Sequence, residues 1–154
     1  ISFRLKREPG WGRNHILQLN WVFDEFFAKP EVWERVFKPF GIERIPALHH
    51  RTNRELDTVV QLRIDSIAAY DLRTQDLPHE HCQECGRMKF VPHTRGGFPP
   101  FLGRGEASKA ACKTREYWGS GGSAFREVII SHDLYAAIVA EGLRGVCFTP
   151  VAEV

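Results

Sequence analysis

The sequence predicts an α+β domain: a mostly antiparallel sheet with helices packed on one side, ending in a strand, a helix and a strand. Three observations carry that expectation. Residues 56–65 alternate, with Leu56, Thr58, Val60, Leu62 and Ile64 set against Asp57, Val59, Gln61, Arg63 and Asp65, the period of a strand with one covered face. Residues 30–40 place Val32, Trp33, Val36, Phe37 and Phe40 along one stripe, which is helical spacing. In the last thirty residues Phe125 to Ile130 reads as a strand, a helical stripe of Leu134, Tyr135, Ile138 and Val139 follows, and Gly145 to Val151 returns as a strand.

Taken in order, Phe3 and Leu5 alternate with Arg4 and Lys6, which suits a short edge strand, and Pro9-Gly10-Trp11-Gly12 breaks it. Ile16 to Phe23 is rich in strand formers, yet it also suits a helix running into Asp24-Glu25-Phe26-Phe27; periodicity leaves both open. Pro30 fits the first turn of a helix over about residues 30–38, Gly41 fits the position past its end, and the aromatic stripe faces a core. Ile42 to Leu48 is a strand confined to an edge or a bulge, because Pro46 has no N–H to give a ladder. His49 to Asn53 is a polar turn whose two histidines face solvent. Residues 92–105 carry prolines and glycines without periodicity, Glu106 to Cys112 makes a turn or two of helix, and Gly119 to Ser123 is a flexible loop behind Tyr117 and Trp118. Ser131 caps the last helix, Asp133 suits its positive end, and Gly142 takes a left-handed exit. If the two flanking strands share a sheet in parallel, their crossover is right-handed.

A chain of 154 residues is expected to form one domain, here 1–154, with a cysteine knuckle and a basic loop inserted at about 78–123. Hydrophobic residues at 43% and charged residues at 26% are globular values, and no apolar run approaches the roughly eighteen residues that span a bilayer. No signal peptide is visible at the start. The four cysteines, two paired and two isolated (Cys112 and Cys147), look like a reducing compartment, which points to the cytoplasm. The net charge of +2 is unevenly spread: Arg87, Lys89, Arg95, Arg104, Lys109, Lys113 and Arg115 face one acid, Glu106, in a segment that phosphates or an acidic protein could meet.

Coordination chemistry crowds in one place, Pro78-His-Glu-His-Cys-Gln-Glu-Cys-Gly-Arg-Met-Lys-Phe90. In Cys82-x-x-Cys85-Gly86 two sulfurs can turn toward one ion while the glycine relieves the turn that follows, which is half of a zinc knuckle. Two more ligands come from His79, His81, His93 and Cys112, of which His79 and His93 are taken as the candidates beside Cys82 and Cys85. The same motif also reads as a redox pair, though its polar flanks are not those of a thioredoxin-like helix start, or as two reduced thiols in a turn. A nucleobase-deaminase order fails, since His81 stands where the proline would be. The glycines after Trp118 lack the Gly-Lys-Ser/Thr ending of a phosphate cradle. No Ser-His-Asp or paired-carboxylate arrangement stands out, so an enzyme is not expected; scattered groups such as His93 with Cys112 rank last.

Cys82-Gln-Glu-Cys85-Gly86-Arg87-Met-Lys89-Phe90, then Phe125-Arg-Glu-Val-Ile-Ile-Ser131, the Leu134 to Leu143 helix and Gly145-Val-Cys-Phe148-Thr-Pro-Val151 resemble the immunity proteins made beside polymorphic toxins in bacteria. The resemblance is greatest to the myxobacterial group with two Cys-x-x-Cys-Gly motifs, although this chain has one. It covers about the last half. What it implies is a small cytoplasmic protein that binds and neutralises a cognate toxin through a preorganised surface. Arg87, Lys89, Arg95, Arg104 and Trp118 are the expected contact residues, drawn from the basic loop and the glycine-rich loop. The alternative is a zinc-knuckle nucleic-acid-binding module that holds phosphates on the Arg87 to Arg115 segment and stacks bases on Phe90, Phe98 or Trp118.

Overall fold

The computed structural model describes residues 1–20, 22–91 and 98–154, and the fold is α+β with three sheets. The chain divides into two compact units: residues 1–20, 25–64 and 132–146 form the first, and residues 21–24, 65–131 and 147–154 the second.

The first unit is built on a curled five-stranded sheet in the order β1-β4-β5-β3-β2. Its strands are β1 (Arg4–Leu5), β2 (Ile16–Leu19), β3 (Val22–Ala28, of which residues 25–28 belong to this unit), β4 (Arg44–His49) and β5 (Glu55–Leu62). Where it is described, the segment that periodicity left open is therefore two strands, β2 and β3, and not a helix. β1 is an edge strand, as expected, and runs parallel to β4, whereas β4–β5 and β3–β5 are antiparallel. Pro46 sits in a bulge: Leu48 opposes Glu55 but Pro46 opposes Val60, so β5 carries extra residues there.

That bulge corrects the expected alternation of β5. Leu56 and Val59, an odd step apart, share one core with Phe27 and Ala47, packed by Phe3, Leu5, Trp11, Leu17 and Leu19. From Val59 onward Val59, Val60, Gln61 and Leu62 are all buried, because a central strand with both faces covered has no solvent side.

Helical structure runs from Pro30 to Phe40, as the stripe predicts, but changes pitch along the way: α1 (Pro30–Val32), a π turn (Trp33–Phe37) and a 3₁₀ turn (Lys38–Phe40) that exits through Gly41. Val32, Val36 and Phe37 are buried, and Trp33 donates its indole N–H to the Ile42 carbonyl at 2.9 Å. α1 lies against β5 and α2 (His132–Ala140) against the π turn. Leu134 and Ile138 form the buried stripe of α2, while Tyr135 and Val139 are more exposed. Gly142 leaves the helix at φ 62°, and the Gly142 and Leu143 amides close the end on Val139 and Ile138.

The second unit holds two small sheets. β6 (His79–His81), β7 (Met88–Phe90) and β9 (Tyr117–Trp118) form one, with β6–β7 antiparallel and β7–β9 parallel; β8 (Ala111–Lys113) and β10 (Val128–Ile130) form an antiparallel pair. Its core is Ala68, Leu72, Phe90, Phe101, Cys112 and Trp118. Glu106 to Ser108 is one 3₁₀ turn, less than the helix expected, because β8 begins at Ala111.

The closing strand from Gly145 to Val151 does not form. In the first unit the Arg144 carbonyl accepts the His15 and Ile16 amides, and Gly145 turns at φ 112°. In the second unit the tail pairs only through Glu153, which bridges Phe101 in parallel, so no strand-helix-strand crossover exists. No helix among the described residues is long and apolar enough to cross a membrane.

Candidate functional site

The knuckle is the turn of the β6–β7 hairpin. The Cys82 amide donates to the Arg87 carbonyl and the Gly86 amide to the Cys82 carbonyl, both at 2.9 Å, and Gly86 takes φ 67° to close the turn. Within it the Cys85 and Glu84 amides and the Cys85 thiol bond the Cys82 sulfur, and with the Lys89 charge they hold its thiol below the ordinary range against a small opposing effect of burial. Cys82 is half-buried and Cys85 exposed.

This donor set fits half of a zinc site. His79 pairs with Phe90, up the strand from the turn, and its ring lies 6.1 Å from the Phe90 ring; Nδ1 is 3.2 Å from the Leu77 carbonyl. Among the described residues no three His, Cys, Asp or Glu side chains gather, so His79 does not join the cysteines. Cys112 is buried in the core instead, its thiol pushed up to about 11 by burial and by Glu106. His93 lies outside the described residues.

Two of the expected contact residues are internal. Lys89 is 1% exposed, on the face of β7 opposite Met88. Its ammonium donates to the Gly121 carbonyl at 2.5 Å and the Ser123 carbonyl at 3.2 Å and pairs with Glu80 at 3.0 Å. Glu80 in turn accepts the Gly121 amide, so the glycine-rich loop is tied to the hairpin rather than free. Trp118, 1% exposed, packs its ring 5.7 Å from Phe90 and 5.2 Å from Phe98. Arg87 and Arg104 are exposed as expected, and Arg95 lies outside the described residues.

The basic segment is largely neutralised by folding. Lys109 pairs with Glu106, Lys113 with Asp24 and Arg115 with Asp71, at 2.9, 3.7 and 3.4 Å, besides Lys89 with Glu80. Glu106, the acid inside the segment, is 3% exposed. Besides Lys109 it accepts the Ala69 and Tyr70 amides, and these partners hold its carboxyl below the usual range although burial works the other way.

What sequence reasoning missed is a groove beside the hairpin. It is open, with a volume of about 570 Å³, and its lining includes Arg87, Met88, Phe90, Leu102, Arg115 and Tyr117. Met88 and Leu102 are 45% and 51% exposed. Tyr117 carries two cations, Arg87, which lines the groove, and Arg126, which does not: their guanidiniums lie 4.2 and 4.7 Å from its ring centre. Glu116 accepts the Leu72 amide through Oε1 at 2.7 Å, its Oε2 is buried with no protein partner, and burial raises its carboxyl. Arg126 Nε is also buried without an acceptor. The sequence signal was present only as Tyr117 following Arg115 and Glu116, since Arg87 and Arg126 come from distant segments.

No family model matches this chain, and neither does any curated protein or solved structure.

Proposed function

We propose that the chain is an immunity protein, a cytoplasmic binder that neutralises a cognate bacterial toxin by occupying its surface rather than by chemistry. The observation that carries this reading is the composition of the groove: exposed Met88 and Leu102 line it together with Arg87, Arg115, Tyr117 and the buried Phe90. Met, Tyr and Arg are the residues enriched at protein interfaces, where apolar anchors contribute affinity and charge selects the partner. The resemblance of the Cys82 to Phe90 motif supports the same conclusion. Zinc belongs to this reading as a structural ion on the Cys82 and Cys85 thiolates, with two further ligands still to be supplied.

A zinc-knuckle nucleic-acid module fits less well. Phe90 and Trp118, two of the rings it would stack bases on, are 4% and 1% exposed.

The deciding experiment is co-expression with the toxin encoded beside this gene, scored by growth. Protection by the wild-type chain, lost on Met88→Asp with Leu102→Asp, supports the proposal. Continued growth arrest despite soluble wild-type protein would refute it.

A further inference from the structure

The turn of the β6–β7 hairpin carries two of the four donors of a zinc site. The Glu84 and Cys85 amides and the Cys85 thiol all bond the Cys82 sulfur, so the outer shell that orients a metal-bound thiolate is in place before any ion arrives. The two sulfurs stand at hydrogen-bonding distance from each other, and a tetrahedral zinc with sulfurs at about 2.3 Å asks for a separation of about 3.8 Å. Neighbouring donors do not complete the set. His79 and His81 lie together on one face of β6 with ring centres 6.0 Å apart, and Cys112 is buried against Glu106. Among the described residues no third His, Cys, Asp or Glu joins the pair.

Every residue from Gln83 to Met88 is exposed, so the turn stands where another molecule can reach it. A second copy of this chain presents the same two thiolates at the same spacing, and two such pairs make a four-cysteine tetrahedron about a two-fold axis through the ion. We propose that Cys82 and Cys85 of two copies bind one zinc between them and so join the chain, turn against turn, in a metal-held dimer. The charges of the turn permit the approach. Each turn carries one exposed acid, Glu84, and one exposed base, Arg87, so like charges need not face each other across the axis, and the Lys89 ammonium of each copy acts on its own Cys82 sulfur. The six exposed residues of the turn fall far short of the roughly 20–30 a side that hold a stable protein interface, so the association depends on the ion. This inference rests on the zinc part of the proposed function, whose two further ligands it names, and not on the toxin.

The test is zinc titration of the intact chain, metal-free and kept reduced by a phosphine, with the mass read by light scattering after size exclusion. The mass is expected to rise about twofold, the rise to be complete at about half an ion per chain, and a chelator to reverse it. Cobalt titrated in the same way should give thiolate charge-transfer absorption with the same end point. Cys85→Ser, at an exposed position of the turn, should abolish the doubling, whereas Cys147→Ser, which removes the exposed cysteine outside the turn, should leave it unchanged. Saturation at about one ion per chain with the mass unchanged would overturn the shared site while leaving zinc on a single knuckle. A doubling that survives Cys82→Ser with Cys85→Ser would overturn it too, since other donors would then hold the ion. No uptake of either metal removes zinc from this inference and from the proposed function together, and leaves the toxin-binding reading standing.

Discussion

Glu8 and Thr58, fifty residues apart, are joined where the register of β5 shifts against β4. The Glu8 carboxylate accepts the Asp57 and Thr58 amides at 2.8 and 3.2 Å, as well as the Thr58 hydroxyl, while the Trp11 indole donates to the Thr58 carbonyl at 3.0 Å. A bulge frees backbone groups from pairing, and a side chain from the N-terminal segment satisfies them.

Replacing Glu8 with alanine should therefore destabilise the chain by about 1–2 kcal/mol, allowing for the partial exposure of the site. Burial works to raise the Glu8 carboxyl, but the Thr58 hydroxyl, the two amides and Arg54 outweigh it and leave it below its ordinary value. A carboxyl lowered on folding contributes stability above the ordinary carboxylate range and loses it as pH falls through the folded-state value. Urea unfolding at neutral and acid pH should show the wild type losing this increment in acid and Glu8→Ala losing less. Equal acid sensitivity of the two proteins would contradict the assignment.

Gly145 is expected to tolerate no side chain. Its φ is 112°, and a Cβ there would overlap the Ile16 carbonyl oxygen, which is backbone and cannot swing aside. Gly145→Ala should cost about 2–4 kcal/mol, whereas Gly121→Ala, at φ 57° with open space around it, should cost about 1 kcal/mol. Chemical denaturation of the two variants side by side measures the difference.

Lys89→Ala should free the glycine-rich loop. It removes the donor that holds the Gly121 and Ser123 carbonyls, leaving a buried strand position empty. A loss of roughly 2–3 kcal/mol is expected, together with new protease cleavage between Gly119 and Ser123. An unchanged digestion pattern would mean that the loop is held by something else.

Cys82 and Cys112 should differ sharply in reactivity. Amides of the knuckle favour the Cys82 thiolate, while burial and Glu106 push Cys112 up to about 11. Iodoacetamide near neutral pH should label Cys82 first and leave Cys112 untouched until the chain unfolds. If zinc is held by the knuckle, adding it should protect Cys82 and Cys85, and cobalt should give thiolate charge-transfer absorption that Cys82→Ser abolishes. Labelling indifferent to zinc would remove the metal from the proposed function.

Much of the local architecture was legible without coordinates. The stripe from Val32 to Phe40 and its Gly41 exit, the edge strand at Arg4, the bulge near Pro46 and the α2 stripe all follow from spacing and from what proline and glycine permit. These are properties of neighbouring residues, and a sequence displays them directly. The alternation of β5 placed Leu56, Val60, Leu62 and Ile64 inside as they are, but Thr58 is turned out at the bulge and Val59 and Gln61 are buried too, because the strand is covered on both faces. Gly145 to Val151 looked like a strand because its residues favour one, but Arg144 is bonded to His15 and Ile16 and the tail pairs only at Glu153.

By itself the sequence determined the α+β class, the helix ends and the turn that presents Cys82 and Cys85. Only the tertiary structure decided which charges remain available. Asp24, Asp71 and Glu80 reach into a segment that reads as strongly basic along the chain, while Arg87 and Arg126 each lie over Tyr117 and, among the described residues, pair with no acid. Electrostatic interaction depends on distance in space, and chain order says little about it.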